Sequence, residues 1–226
     1  MFNISNDEFR KLKPLEDNEG AYGACYYYED GVLKVFHEDN MNYLKPYIND
    51  ILGIDIENVA FPEEIGSVGN KYAYKMKYIN GILVYNIYDS VNKGICDLTF
   101  DDISKYYHNA LLTVQDISDY HIMINELHVK NCKFMENNKF GIFDTDLYTK
   151  CNSEKYNIVN KNNIKAVNEV FYVLLCLINS NSRLGCYFNR FIVNRDLYNT
   201  MFIDDALEEL NKSRRVNTLK ELIIAK

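Results

Sequence analysis

Apolar and polar positions change their rhythm once along this chain, near Asn80-Gly81. Before that point the apolar residues come in short runs rich in tyrosine and β-branched side chains, which favour strands. The Tyr-rich segment Ala24 to Tyr28, then Val32 to Phe36, Ile65 to Val68 and Tyr72 to Ile79 are the predicted strands. Asp30-Gly31 is a two-residue hairpin signal, and Gly69-Asn70 a second turn. Residues 1 to 13 read as a polar lead-in, helical from Asn6-Asp7-Glu8. Between the hairpins, Tyr43, Leu44, Tyr47, Ile48 and Ile51 have helical spacing over Asn40 to Leu52. Pro46 must then fall in the first turn or kink the helix.

Beyond Asn80-Gly81 the period becomes helical. Helices are predicted over Ile82 to Tyr88 and over Phe100 to Ile117, the latter opened by Asp101-Asp102. Its apolar face is Ile103, Tyr106, Tyr107, Ala110, Leu111 and Val114. An irregular stretch from His121 to Lys130 leads into a small hairpin, Cys132 to Met135 with Phe140 to Phe143, turning at Asn137-Asn138. Residues 147 to 161 are polar and read as loop. Helices follow over Ala166 to Ile178, near Tyr187 to Tyr198, over Asp204 to Leu210 and over Leu219 to Ile223. The pattern predicts an α+β protein with a sheet-rich part over 1–80 and a helical part over 81–226.

Composition narrows the function classes. The 226 residues are 47% hydrophobic and 25% charged with 3 prolines, a globular make-up able to bury a sizeable core. A net charge of −7 argues against a nucleic-acid binder that works by whole-domain electrostatics. The basic clusters Lys11-Leu12-Lys13 and Ser213-Arg214-Arg215 read as solvated surface. The 6 cysteines form no Cys-x-x-Cys pair, which predicts free thiols in a reducing compartment rather than a disulfide framework or zinc site. Met1 to Glu8 has neither a basic nor an apolar leader region, and Val170 to Ile178 is too short to span a bilayer. The expectation is a cytoplasmic protein with no membrane partner.

Candidate chemistry concentrates between residues 126 and 146. Glu126, Asn131 and Asp144 place an acid, an amide five positions on, and a second acid at the end of a short apolar strand. Asn131 and Asp144 offer the hard oxygen ligands that Mg²⁺ prefers, and Glu126 could orient a hydroxyl for attack. Upstream, Lys34 is centred in an apolar strand and needs an anionic partner if buried. Gly20 and Gly23 fall in the turn before the Tyr-rich strand. Taken singly, His121 and His128 are ordinary loop histidines and Cys132 a packed thiol.

In this order the parts resemble a protein-kinase-like fold, of the small divergent bacterial type: a small antiparallel-sheet lobe with one helix, a hinge, and a mostly helical, shortened second lobe. The resemblance covers roughly residues 15 to 178. Asn18-Glu19-Gly20-Ala21-Tyr22-Gly23 resembles the kinase glycine-rich loop with its first glycine replaced. Val32-Leu33-Lys34-Val35 looks like the strand whose lysine pairs with the α- and β-phosphates. Tyr74 to Gly81 resembles the last strand running into the hinge, with Met76 at the back of the adenine pocket. By that match the Lys77 carbonyl and the Ile79 N–H meet the adenine edge. Ile124-Asn125-Glu126 with Asn131 resembles the catalytic loop, and Asp144-Thr145-Asp146 the Asp-Phe-Gly motif. The resemblance implies ATP and Mg²⁺ as cofactors, Lys34 on the phosphates, Asn131 and Asp144 on the metal, and Glu126 as base. Asn163 is a loose match to the family's helix-opening Asp, with no role carried over.

Three departures bear on activity. Glu126 stands where the family has its catalytic Asp, and a misplacement of about an ångström can cost roughly 10²-fold in rate. No glutamate falls in the apolar pattern of residues 40 to 52 to pair with Lys34, and Glu38 and Asp50 are the nearest acids. The segment after Asp144 is short and lacks an Ala-Pro-Glu-like motif, so a full activation loop is not expected. The expected function is γ-phosphate transfer to a protein or small-molecule hydroxyl. The alternatives are a pseudokinase that binds nucleotide or a protein partner without transfer, and, motivated by the missing Asp alone, transfer of AMP.

Overall fold

Alternation along β4 (Gly31–Phe36) sends Val32, Lys34 and Phe36 to one face of a sheet and Leu33 and Val35 to the other. A computed structural model of the chain, describing residues 1–37, 41–179 and 196–224, shows both faces covered. Val32 and Phe36 pack with Leu44, Ile48, Tyr74 and Met76, whereas Leu33 and Val35 pack with Ile4, Val68 and Ala73. The sheet has six strands in the order β1-β5-β6-β4-β3-β2. They are β1 (Phe2–Ile4), β2 (Pro14–Glu19), β3 (Gly23–Tyr28), β4, β5 (Pro62–Val68) and β6 (Lys71–Lys77). All pairings are antiparallel except β1 with β5.

Three details of this sheet differ from the sequence reading, the first being that Pro14–Glu19, not predicted as a strand, pairs with β3. Phe2–Ile4 is a strand, not lead-in; it adds in parallel to β5, and at three residues it carries too little period to betray itself. The predicted helix does follow, as α1 (Asn6–Phe9), opened by a capping box between Ser5 and Glu8. The β3–β4 turn sits at Glu29-Asp30, with Glu29 at φ 52°, and Gly31 is already paired with Lys77. Gly31 is required by close approach: a Cβ there would meet the Met76 carbonyl oxygen at 2.5 Å.

The helix α2 (Met41–Ile51) buries Leu44, Ile48 and Ile51 completely. Pro46 lies inside it on the exposed side, where its ring leaves the Asn42 carbonyl without a helical donor.

After β6 the chain does not enter a helix at once, contrary to the reading of Ile82 to Tyr88. It forms β7 (Ile82–Leu83), a 3-10 turn at Val84–Asn86 and then α3 (Ile87–Asn92). Tertiary pairing overrides the local pattern: β7 joins a three-stranded sheet in the order β10-β9-β7, with β9 (Cys132–Phe134) and β10 (Phe140–Ile142). Gly81 makes the entry, at φ 146° and with no room for a Cβ beside the Phe134 carbonyl.

The long helix α4 (Phe100–Asp119) starts at a Thr99–Asp102 capping box and buries Ile103, Tyr107, Ala110, Val114 and Ile117 fully. It packs on α5 (Tyr156–Asn179), which begins eight residues before Ile164, the first residue read as helical from sequence. The polar start Tyr156 to Asn163 has no apolar stripe, and Val159 with the fully buried Asn163 anchors it. Before α5, β8 (Ile122–Met123) and β11 (Thr149–Lys150) pair across the loop region read as irregular. α6 (Phe202–Arg214) and α7 (Leu219–Ile224) complete the helical core. The helix expected near Tyr187 to Tyr198 lies outside the described residues up to Arg195, and Asp196 to Tyr198 belong to a turn.

Among the described residues, no helix is long and apolar enough to cross a membrane. Cys25, Cys96, Cys132, Cys151 and Cys176 are free thiols.

Candidate functional site

Lys34 is the centre of the site. It lies on the α2-facing side of β4, only 5% exposed, so its charge has to be met by protein. Its ammonium pairs with both Asp144 and Asp146, which stand just after the hairpin strand β10. Asp146 is itself buried, and its second oxygen accepts from the Tyr74 hydroxyl. Tyr74 is the cross-strand neighbour of Lys34 on β6, so both side chains reach the same carboxylate from one face. Burial alone would lower the Lys34 pKa, but Asp146 and Asp144 outweigh it and hold the ammonium well above the ordinary lysine value. Burial, and next the Asp146 charge, push the Tyr74 phenol well above its usual range.

The Asp144-Thr145-Asp146 turn is set by its neighbours. Asp144 takes a left-handed backbone, φ 60°, and leaves its side chain 43% exposed. The buried Thr145 hydroxyl donates to the Ala60 carbonyl at 3.2 Å. Ahead of the turn, Ile142 N–H donates to Asn58 and Ala60 N–H to Ile142, stitching β10 to the segment before β5. The Phe143 N–H donates to the Asn131 carbonyl at 3.0 Å, placing the buried Asn131 beside the turn.

The loop from Ile124 to Asn131 is braced from below. Asn163 Oδ1 accepts from the Ile124 N–H at 2.9 Å, while its Nδ2 donates to the Ile122 carbonyl and Ser118 Oγ, each at 2.9 Å. The Asn125 amide donates to the Leu147 carbonyl and to Thr149 Oγ1 at 2.6 Å. Glu126, in contrast, is 55% exposed and has His128 Nε2 at 3.6 Å. Tyr148, fully buried, carries a hydroxyl with no partner among the described residues, and burial above all pushes that phenol well above its usual range.

A cleft of about 440 Å³ is bordered by Cys25 and Phe143, the neighbours of Lys34 and Asp144. Lys34, Glu126, Asn131 and Asp144 themselves are not among its lining residues. Met76, Lys77 and Ile79, the predicted hinge residues, line it together with Val32, Lys133 and Phe143. Cys25, the cross-strand partner of Lys34, also lines it, and burial pushes that thiol up to about 11 despite the opposing Lys34 charge. Gly20 and Gly23 are not among its lining residues. The Gly20 N–H donates to the Gly23 carbonyl at 2.9 Å, so the turn closes on itself. A Cβ on Gly23 would strike the Val35 carbonyl oxygen at 2.4 Å, which makes that glycine a requirement of the β3–β4 pairing.

The structure thus pairs Lys34 with Asp144 and sets the Asn131 backbone against Phe143, the residue before Asp144. It also supplies residues that sequence reasoning missed: Asp146 and Tyr74 as partners of Lys34, and Asn125 and Asn163 as braces. Asp50 lies on the exposed side of α2, and Glu38 is outside the described residues. The signal for Asp146 was available in the buried lysine's need for an anion and in an acid standing where the resembled motif has glycine.

Two packed parts, a six-stranded sheet with one helix and a helical bundle, bridged where a sheet lysine pairs with the acids after a small hairpin, make a protein-kinase-like fold. A solved structure described as the autoinhibited serine kinase domain of the giant muscle protein titin superposes with a TM-score of 0.60, at 12% identity, over 96% of this chain and 87% of that one. No family model matches the sequence, and no curated protein matches it.

Proposed function

We propose that this chain is a nucleotide-dependent phosphotransferase that moves a γ-phosphate to a hydroxyl. The observation that carries the reading is the buried Lys34 ammonium held between Asp144 and Asp146, one strand pairing away from the cleft-lining Cys25. An ammonium has three donors, and two are engaged by the carboxylates, which leaves one for a phosphate oxygen. The base would sit against Met76 and the Lys77 to Ile79 backbone, with residues 1–80 and 81–226 as the two lobes.

The donor set beside Lys34 fits Mg²⁺, which is commonly held by one or two carboxylates plus substrate phosphates. Asn131 and Asp144 would hold it, and when bound it would neutralise charge on the phosphates. The remaining work falls to the chain. Lys34 positions the α- and β-phosphates. Glu126 accepts the proton of the acceptor hydroxyl as its oxygen bonds to the γ-phosphorus and the bond to the bridging oxygen breaks, releasing the nucleoside diphosphate. Such transfer depends mainly on positioning and charge stabilisation, so a glutamate can serve where the fold's relatives use aspartate.

Melting the chain with Mg²⁺ and nucleotide tests binding: a hundredfold excess over Kd stabilises by about 2.7 kcal/mol. Transfer of labelled γ-phosphate, lost in Asp144→Ala and in Glu126→Ala, tests chemistry. Binding without transfer would favour the pseudokinase reading, which the 55% exposure of Glu126 and Asn125 in place of the loop arginine support. Absence of any shift at millimolar nucleotide would reject the phosphotransferase and leave only a pseudokinase that binds a protein partner.

A further inference from the structure

The base end of the cleft holds a cation. Lys133 is the central residue of β9, between Cys132 and Phe134, which are both buried. Alternation turns Lys133 away from that core, and it lines the cleft. Its cross-strand neighbours are Gly141 on one side and Leu83 on the other. Its Nζ donates to the Ile79 carbonyl at 2.8 Å, on the hinge backbone itself. The ammonium lies 4.8 Å from the Tyr78 ring centroid and 5.7 Å from that of Phe143, within cation–π range of both. Burial lowers the Lys133 pKa, as expected for a charge drawn partly out of water.

We infer that Lys133 makes this cleft selective for a nucleobase bearing carbonyl acceptors, guanine rather than adenine. This rests on the nucleotide-binding reading above and names its substrate class. A lysine ammonium carries three N–H donors and no acceptor, and the Ile79 carbonyl takes one of them. A purine entering between Met76 and the hinge meets the donors that remain. Guanine offers O6 and N7, both acceptors, along one edge, which is why lysine pairs with it in other settings. Both purines offer N7, but adenine places its N6 amino donor where guanine has O6, so the second ammonium donor would face another donor in a partly dry site. The rings of Tyr78 and Phe143 that flank the ammonium restrict its freedom to swing away.

The test is calorimetric titration of the full chain, in Mg²⁺, with GTP, ITP and ATP. ITP keeps the O6 acceptor and lacks the 2-amino group, so it isolates the contact. GTP and ITP should each bind at least about tenfold tighter than ATP, the discrimination of one good base contact. In Lys133→Met, which preserves length and apolar volume, that ranking should collapse or invert. Should that variant fail to fold, the ranking of the three nucleotides on the wild-type chain decides alone. ATP binding as tightly as GTP, or a GTP preference undiminished in Lys133→Met, would overturn the inference while leaving phosphotransfer intact. Failure of all three nucleotides to bind at millimolar concentration would remove the inference and the underlying function together.

Discussion

The two acids that flank the candidate site are held in opposite ways. Asp146 is 2% exposed and locked between a lysine and a tyrosine from two adjacent strands, whereas Glu126 is 55% exposed with one histidine at 3.6 Å. One end of the site is therefore assembled by folding, before any ligand arrives. The other is left open to solvent. The contrast suits a phosphate end that must be preorganised and an acceptor end that must admit a hydroxyl from outside.

The largest effect should come from Asp146→Ala, which leaves the buried Lys34 ammonium with the half-exposed Asp144 alone and the buried Tyr74 phenol without its acceptor. Breaking a buried pair in this way costs about 3–5 kcal/mol, to be read from urea or guanidinium unfolding. Adding Lys34→Met to Asp146→Ala should restore part of the loss, since no unpaired charge then remains. If Asp146→Ala melts like the wild type, the contrast between the two acids is lost. Glu126→Ala should leave the melting point within the range of ordinary surface changes but lower kcat by at least about 10²-fold, as removal of a general base does. Nucleotide affinity should not move with it.

Smaller effects sharpen the same picture. Asn163→Ala should cost about 1–3 kcal/mol, the penalty for a buried hydrogen-bonding group left unsatisfied. It should also speed hydrogen exchange at the Ile124 amide, its direct donor. Last is pH. Folding raises the Cys25 thiol from 9.0 to about 11, so the unfolded chain gives up that proton first. Its contribution to stability is complete below pH 9.0 and is lost as pH rises through about 11. Alkylation of Cys25, followed by peptide mass spectrometry, should be slow at pH 8 and accelerate towards pH 11, with bound nucleotide shielding it.

Much of the architecture was legible because it is written in local periods. The strands around Lys34, the Phe100–Asp119 helix and the hairpin before Asp144 all announce themselves by spacing, turn residues or caps. What stayed hidden is what tertiary pairing decides. Phe2–Ile4 and Ile82–Leu83 are too short to show a period, and the first two turns of α5 are polar because their anchor is Asn163, a hydrogen-bonding core residue. The site divides along the same line. Lys34 and Asp144 could be found from strand and hairpin context. The partnership of Lys34 with Asp146 spans 112 positions, and no local rule reaches that far. Lys133 was equally silent, since a lysine in a three-residue strand looks like any surface cation until the cleft beside it is seen.

The pairing of Lys34 has a consequence for how this chain can be divided. Both carboxylates that neutralise it lie beyond residue 140, while the lysine belongs to the sheet near the amino terminus. A fragment cut where the sequence changes rhythm, residues 1–80, would carry a complete sheet with an orphaned cation at its heart. Such a fragment should not fold alone. Mixed with residues 81–226 it should recover structure only as the two pieces find each other, making this ion pair the seam along which the protein is sewn into a single cooperative unit.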